Sequence, residues 1–255
     1  MQQNTRRHHG RGLLLALGVS ASRAIAQTTS PFTDQATGAH LQRFVDTKTN
    51  FSFGIALPSA PDSNSFIGQL SFPLVDGAGW GGFSLSSDLN GPPLVACWPD
   101  GHGGVVSSFR QAFNGKENPP EAPGAFSIKP IPDGTSANNT FLTFTFLCEG
   151  CIDATETVST ANMAWALASQ PVQSPESTAG VLAFPDTSFG DFLANLAAAR
   201  SAEFDTWAAF AQPVSPPASG TQTSQDTAIG DLKARQTSGR TGNTGGQAFD
   251  TDTDN

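Results

Sequence analysis

The chain has 255 residues, with 13 basic against 22 acidic side chains, a net charge of −9, no tyrosine and 19 phenylalanines. Nothing in it forms the basic stripe that phosphate neutralisation needs, so nucleic acid is excluded as a partner. Acidity of this size otherwise serves solubility and names no ligand.

At the amino terminus Arg6, Arg7, His8, His9 and Arg11 precede an apolar run from Leu13 to Val19, and Ala24-Ile25-Ala26 presents small residues two apart. This is the pattern of a secretory signal cleaved after Ala26. The run falls well short of the roughly 20 residues that span a bilayer. No later segment is longer, so a secreted, extracellular chain with no membrane partner is expected. Cleavage removes four arginines and no acids, which takes the net charge from −9 to −13.

From residue 27 to residue 212 the pattern is that of one mostly β domain. Phe51 to Leu57, Ser65 to Phe72, Gly104 to Phe109 and Phe126 to Ile131 are short runs parted by Pro, Gly, Asn and Asp. Strands at this spacing, without intervening helices, predict an antiparallel sandwich or barrel. Trp80 to Trp98 reads as two further strands around a polar turn from Ser86 to Pro93, where a ligand could be held on a rigid edge. Thr140 to Leu147 alternates with period two, which turns Phe144 and Phe146 to the core and Thr143 and Thr145 away from it. Met163 to Ala168 is a strand candidate that an alanine-rich helix would also fit. After Asp186, the spacing of Phe189, Phe192, Leu193, Leu196, Phe204, Trp207 and Phe210 predicts one or two short amphipathic helices. Residues 213–255 hold almost no large apolar side chain and are expected to be disordered. Their polar ending is unlike a lipid-anchor signal.

Cys148-Glu-Gly-Cys151 admits three readings: half of a zinc site, a redox pair, or a local disulfide at a strand end. An oxidising compartment favours the last. Cys97 sits among apolar residues and reads as a buried thiol. Asn50-Phe51-Ser52 and Asn138-Asn139-Thr140 are N-glycosylation triplets, the second in a polar turn before a strand.

Catalytic signals are sparse. Gly77-Ala-Gly79-Trp-Gly-Gly82 satisfies G-x-G-x-x-G, but Phe83 to Leu85 continues as strand where a dinucleotide fold needs a helix. After residue 26 the histidines are His40 and His102, and His102 reads as part of a solvated turn. No nucleophile elbow is present, and no carboxylate pair stands out.

Phe32-Thr-Asp-Gln-Ala-Thr-Gly38, Phe66-Ile-Gly68, Trp80-Gly-Gly82, Leu94-Val-Ala96, Val105-Val-Ser-Ser108, Cys148-Glu-Gly-Cys151 and Ala164-Trp-Ala166 follow one another in an order that resembles the secreted cytochrome domain of fungal cellobiose dehydrogenase. The resemblance spans about Pro31 to Phe210. It implies an all-β, immunoglobulin-like (DOMON-type) antiparallel sandwich and a disulfide between Cys148 and Cys151. Domains of that family bind haem b and pass electrons from a flavin domain to a copper monooxygenase. A Ser/Thr/Pro-rich linker to the flavin domain stands where residues 213–255 stand here, so those residues are read as an unattached linker.

The family's methionine ligand falls on Leu89 and its histidine ligand on Asp186. Leucine has no lone pair to give, and a carboxylate poorly matches a low-spin haem iron. No cofactor is therefore expected, and no catalytic residue or metal site. The chain is read as a non-haem binding or interaction module that is not itself an enzyme. Its partner is left open, with extracellular carbohydrate and a redox protein suggested by the family. The alternative is an electron-transfer haemoprotein with unusual ligands such as His40 or His102.

Overall fold

The computed structural model describes residues 27–87, 93–111, 118–153 and 159–213. Residues 1–26 and 214–255, the expected leader and tail, lie outside the described residues. In chain order the strands are β1 (Ser30–Thr33), β2 (His40–Val45), β3 (Ser52–Pro58), β4 (Phe66–Pro73), β5 (Trp80–Ser84), β6 (Leu94–Pro99) and β7 (Val105–Arg110). There follow β8 (Ser127–Pro130), β9 (Ser136–Ala137), β10 (Phe141–Glu149), β11 (Thr160–Ala168), β12 (Ser188–Asn195), β13 (Arg200–Ser201) and the single described α-helix, α1 (Phe204–Ala208).

Two sheets form from these strands. The larger runs β1-β2-β3-β4-β10-β8, with β9 paired to β10 and β13 paired in parallel to the end of β3. The smaller runs β12-β11-β5-β6-β7, all antiparallel. Each inner face is set by the two-residue period of the sequence. Phe53, Ile55, Phe66, Leu70, Phe144 and Phe146 point inward from the larger sheet, and Phe83, Val95, Cys97, Met163, Trp165 and Phe192 meet them. Aromatic rings bridge the layers, with Phe53 on Phe83 at 3.9 Å, Phe44 on Phe192 at 4.3 Å and Phe51 on Trp165 at 4.7 Å between centroids. Phenylalanine does the work here that aliphatic residues do in many sandwiches, since each ring buries a large area with a defined stacking geometry.

The first two hairpins of the larger sheet turn on the same device, an Asp followed three residues later by a Thr. Asp34 Oδ2 accepts from the Thr37 amide and hydroxyl, and Asp46 Oδ2 accepts from the Thr49 amide and hydroxyl. Side chains of this kind replace backbone partners in turns.

Residues 188–195 depart from the helical expectation and form the edge strand β12. Spacing from Phe189 onward fits a 3.6-residue period by coincidence. Eight residue pairs with β11 supply the backbone partners, and burial of Phe192 and Ala194 against the core outweighs local propensity. The helical part of that expectation holds at α1, whose Phe204 and Trp207 cover Leu41, Ala56, Ile67 and Leu147 on the outer face of the larger sheet. Met163 to Ala168 is strand, not helix.

Before β1 the chain first runs beside the smaller sheet. Leu193 donates its amide to the Gln27 carbonyl, Thr29 donates back to Leu193, and the Asn195 amide donates to the Thr29 hydroxyl. Residues 27–29 thus lie along the free edge of β12 before the chain crosses to the larger sheet.

Candidate functional site

Asp186 lies two residues before β12, and its backbone level is fixed by the pairing of Ser188 with Leu167 and of Ala168 with Trp80. Leu89 lies outside the described residues, in the connection between β5 and β6. The flanks of that connection, Ser84 and Leu94, mark the opposite end of the same strands.

Beside Asp186 lies the outer face of the smaller sheet. Alternation places Trp80, Gly82 and Ser84 from β5, Leu94, Ala96 and Trp98 from β6, and Ala164, Ala166 and Ala168 from β11 on this side. The floor is thus built of small residues with two indoles standing on it. Gly82 is required there, because a Cβ would come within 2.8 Å of the Val95 carbonyl oxygen. Trp80, Trp98, Leu94 and the alanines pack with Val172 and Leu182 into a second apolar layer.

Val172 and Leu182 belong to a strap, residues 169–187, that crosses this face. Several side chains fasten it. Trp80 Nε1 donates to the Ala183 carbonyl at 3.1 Å and Trp98 Nε1 to the Pro175 carbonyl at 2.8 Å. Leu182 exchanges bonds with Asn118, through its own amide to Asn118 Oδ1 and through its carbonyl from the Asn118 amide.

Arg110, the last residue of β7, completes the fastening and was not visible in the sequence. It is 1% exposed. Nε donates to the Ser108 hydroxyl, Nη1 to the Pro119 carbonyl, and Nη2 to the Thr178 and Gly180 carbonyls at 2.5 and 2.7 Å. Its guanidinium lies 5.5 Å from the Trp98 ring centroid. Burial lowers its pKa and the nearby Glu121 charge opposes that shift. A planar donor fork suits this task, because it can reach carbonyls in several directions at once.

Asp186 closes the base of the strap. Oδ1 accepts from the Ser169 amide at 2.8 Å and the Thr187 hydroxyl at 3.3 Å, and Oδ2 accepts from the Ser169 hydroxyl at 3.0 Å and from Gln170 at 3.2 Å. Desolvation pushes this carboxyl upward, but the bonds from Ser169, Gln170 and Thr187 outweigh it and hold the group below its ordinary range. Beside it Phe184 and Phe189 meet edge to face at 6.0 Å and remain 43% and 59% exposed.

The other sequence candidates lie elsewhere. His40 stacks on Trp207 at 5.5 Å across the larger sheet, 3.9 Å from Glu203. His102 is exposed in the turn after β6, where its amide donates to Asp100. Met163 is fully buried on the inner face. Cys148 and Cys151 are joined, and Cys97 is free, buried and pushed up in pKa by desolvation. Gly77 has φ +76° in a tight turn, so the glycine motif serves a hairpin and not a nucleotide. Asn50 and Asn138 are both exposed in turns before strands. Among the described residues no cluster of three or more His, Cys, Asp or Glu is placed to hold a metal, and no helix is long and apolar enough to cross a membrane.

Residues 32–206 match the family model described as the cytochrome domain of cellobiose dehydrogenase. Among solved structures the chain is similar to the cytochrome domain of Myriococcum thermophilum cellobiose dehydrogenase, with a TM-score of 0.65 and 26% identity over 73% of this chain and 98% of that one. It is also similar in fold to the cytochrome b domain of pyranose dehydrogenase from Coprinopsis cinerea, with a TM-score of 0.63 and 24% identity over 75% of this chain and 100% of that one. No curated protein sequence matches the chain.

Proposed function

Because the chain belongs to the family of the cellobiose dehydrogenase cytochrome domain, we propose that it is a secreted cytochrome-type sandwich that has given up axially ligated haem and works as a non-haem binding or interaction module. The observation that carries this reading is the closed outer face of the smaller sheet. A low-spin haem needs two axial donors, commonly histidine nitrogen or methionine sulfur, and an open slot between them. Leu89 supplies no donor, and both oxygens of Asp186 are spent on the base of the strap. Trp80 and Trp98 pack with Val172 and Leu182 over the floor of small residues and are bonded to the strap that covers it. The residues of this face do not fit the group, so no electron-transfer step is assigned to them. Phe184 and Phe189 leave an aromatic patch beside the strap, suited to contact with a redox protein or an extracellular carbohydrate.

A second reading is a haemoprotein with a non-standard ligand. It draws on His102, whose turn adjoins the Trp98 end of the same face. One titration separates the two. Purified full-length protein mixed with haemin and reduced is expected to give no low-spin spectrum. A low-spin spectrum in the wild type overturns the proposal, and its loss in His102→Ala then identifies the ligand.

A further inference from the structure

Helix α1 covers one part of the outer face of the larger sheet. Two cross-strand rows run beside that part. One joins Val45, Ser52, Ser71 and Thr143, and the next joins Arg43, Gly54, Gln69 and Thr145. Over Arg43, Val45, Ser52, Gln69, Ser71 and Thr143 lies a groove of about 320 Å³, at the lower end of the roughly 300–1,000 Å³ of small-ligand sites. Phe32 and Phe141 form its apolar walls, and Asn50 stands at its rim.

We propose that this groove seats the first sugars of a glycan carried by the protein's own Asn50. Asn50 opens the triplet Asn50-Phe51-Ser52. It is exposed and held at φ +60° by the Asp46–Thr49 turn. Among the described residues its carboxamide makes no hydrogen bond, whereas Asn138 Oδ1 accepts three, from the Thr140 amide and hydroxyl and the Phe141 amide. Attachment replaces one bond with another. The Asn50 amide nitrogen forms a bond to C1 of a lipid-pyrophosphate-linked oligosaccharide, the C1 to phosphate-oxygen bond breaks, and the lipid pyrophosphate leaves with the electron pair while the amide gives up a proton.

The groove matches such an occupant in polarity as well as position. Arg43 lies with its guanidinium 3.4 Å from the Phe32 ring centroid, and its donors have no hydrogen-bond partner among the described residues. Arg110 by contrast spends its donors on a hydroxyl and three carbonyls, and Arg200 donates to the Pro58 and Ala60 carbonyls. Asp34 answers Arg43 in charge, and the Ser52 hydroxyl lines the same groove. Donors, acceptors and flanking rings together suit a neutral polyhydroxylated ligand, in which every hydroxyl can give and accept and each ring has an apolar face.

The test uses full-length protein secreted from a yeast host, with peptide mass giving occupancy. Endoglycosidase H cuts between the first two sugars, so a seated core should resist it. Cleavage at Asn50 is expected to be about tenfold slower in native than in denatured protein, as for any bond released by local opening. Arg43→Ala, checked for an unchanged Tm, is expected to remove most of that protection. Should that variant not fold, phenylglyoxal labelling replaces it: Arg43 should react more slowly in glycosylated wild type than in Asn50→Gln. Absence of sugar at Asn50 overturns the proposal. So does equal cleavage in native and denatured protein, or equal Arg43 labelling with and without the glycan.

Discussion

Arg110 donates from Nη2 to the Gly180 carbonyl across 2.7 Å, linking the end of an edge strand to a strap 70 residues further along. The bond belongs to a set in which one buried cation satisfies three separate backbone carbonyls. Arg110→Met should therefore cost about 3 kcal/mol, since carbonyls left without partners are costlier than the bonds are individually worth. Arg110→Lys should recover little, because an ammonium has no fork to span them. Urea unfolding midpoints at constant slope check both.

Asp186 makes stability depend on pH in a defined direction. Its folded pKa is depressed, so its contribution is complete above the unfolded value of about 3.9 and is lost as pH falls through the lower folded value. Glu149 adds to the same trend, held down first by its bond from Lys129 at 2.7 Å and then by Ser127. Both groups are largely solvent-exposed, which keeps the effect small. Thermal melts of Asp186→Asn should lie below wild type at neutral pH, with the gap closing as the pH falls below about 3.9.

Thiol chemistry should divide the cysteines cleanly. Cys97 faces the core and burial raises its pKa, so a thiol reagent should find no reactive group in the native protein and one after unfolding. Reduction should expose two more. The Cys148–Cys151 loop is short, so its entropic contribution should lie below the roughly 3 kcal/mol of a 15-residue loop, and Tm should fall little on reduction.

Gln212 donates its amide to the Pro130 carbonyl, the last such tie in the described chain. Ending the chain after Pro213 should leave Tm unchanged within a degree or so, because the removed residues carry too little apolar surface to contribute. A drop of several degrees in calorimetry would show that they are part of the fold.

How much of this was legible in the sequence depended on the range of the interactions. Phe141 to Leu147 announced itself because alternation is a local property, and its Phe144 and Phe146 face the core as expected. Even so, Thr145 is fully buried on the opposite face, under the Gly134 carbonyl to which it donates. At β12 local spacing pointed to helix and pairing with β11 decided otherwise. Asp186 was found through its place in a family pattern, but its bonds to Ser169 and Gln170 were not foreseeable. Arg110 left no signal at all. Its partners are backbone carbonyls of Pro119, Thr178 and Gly180, and a carbonyl carries no residue identity.

Residues 27–29 bear on how the edge of the smaller sheet is kept from other chains. They occupy the outer edge of β12, whose exposed Phe189 would otherwise adjoin an unpaired row of backbone donors and acceptors. A chain that keeps Gln27 to Thr29 keeps that seam closed. One that began at Ser30 would present the same core with an open, aromatic-flanked edge, the template on which chains join edge to edge. Three residues outside the strands proper would then decide whether that edge is sheltered or sticky.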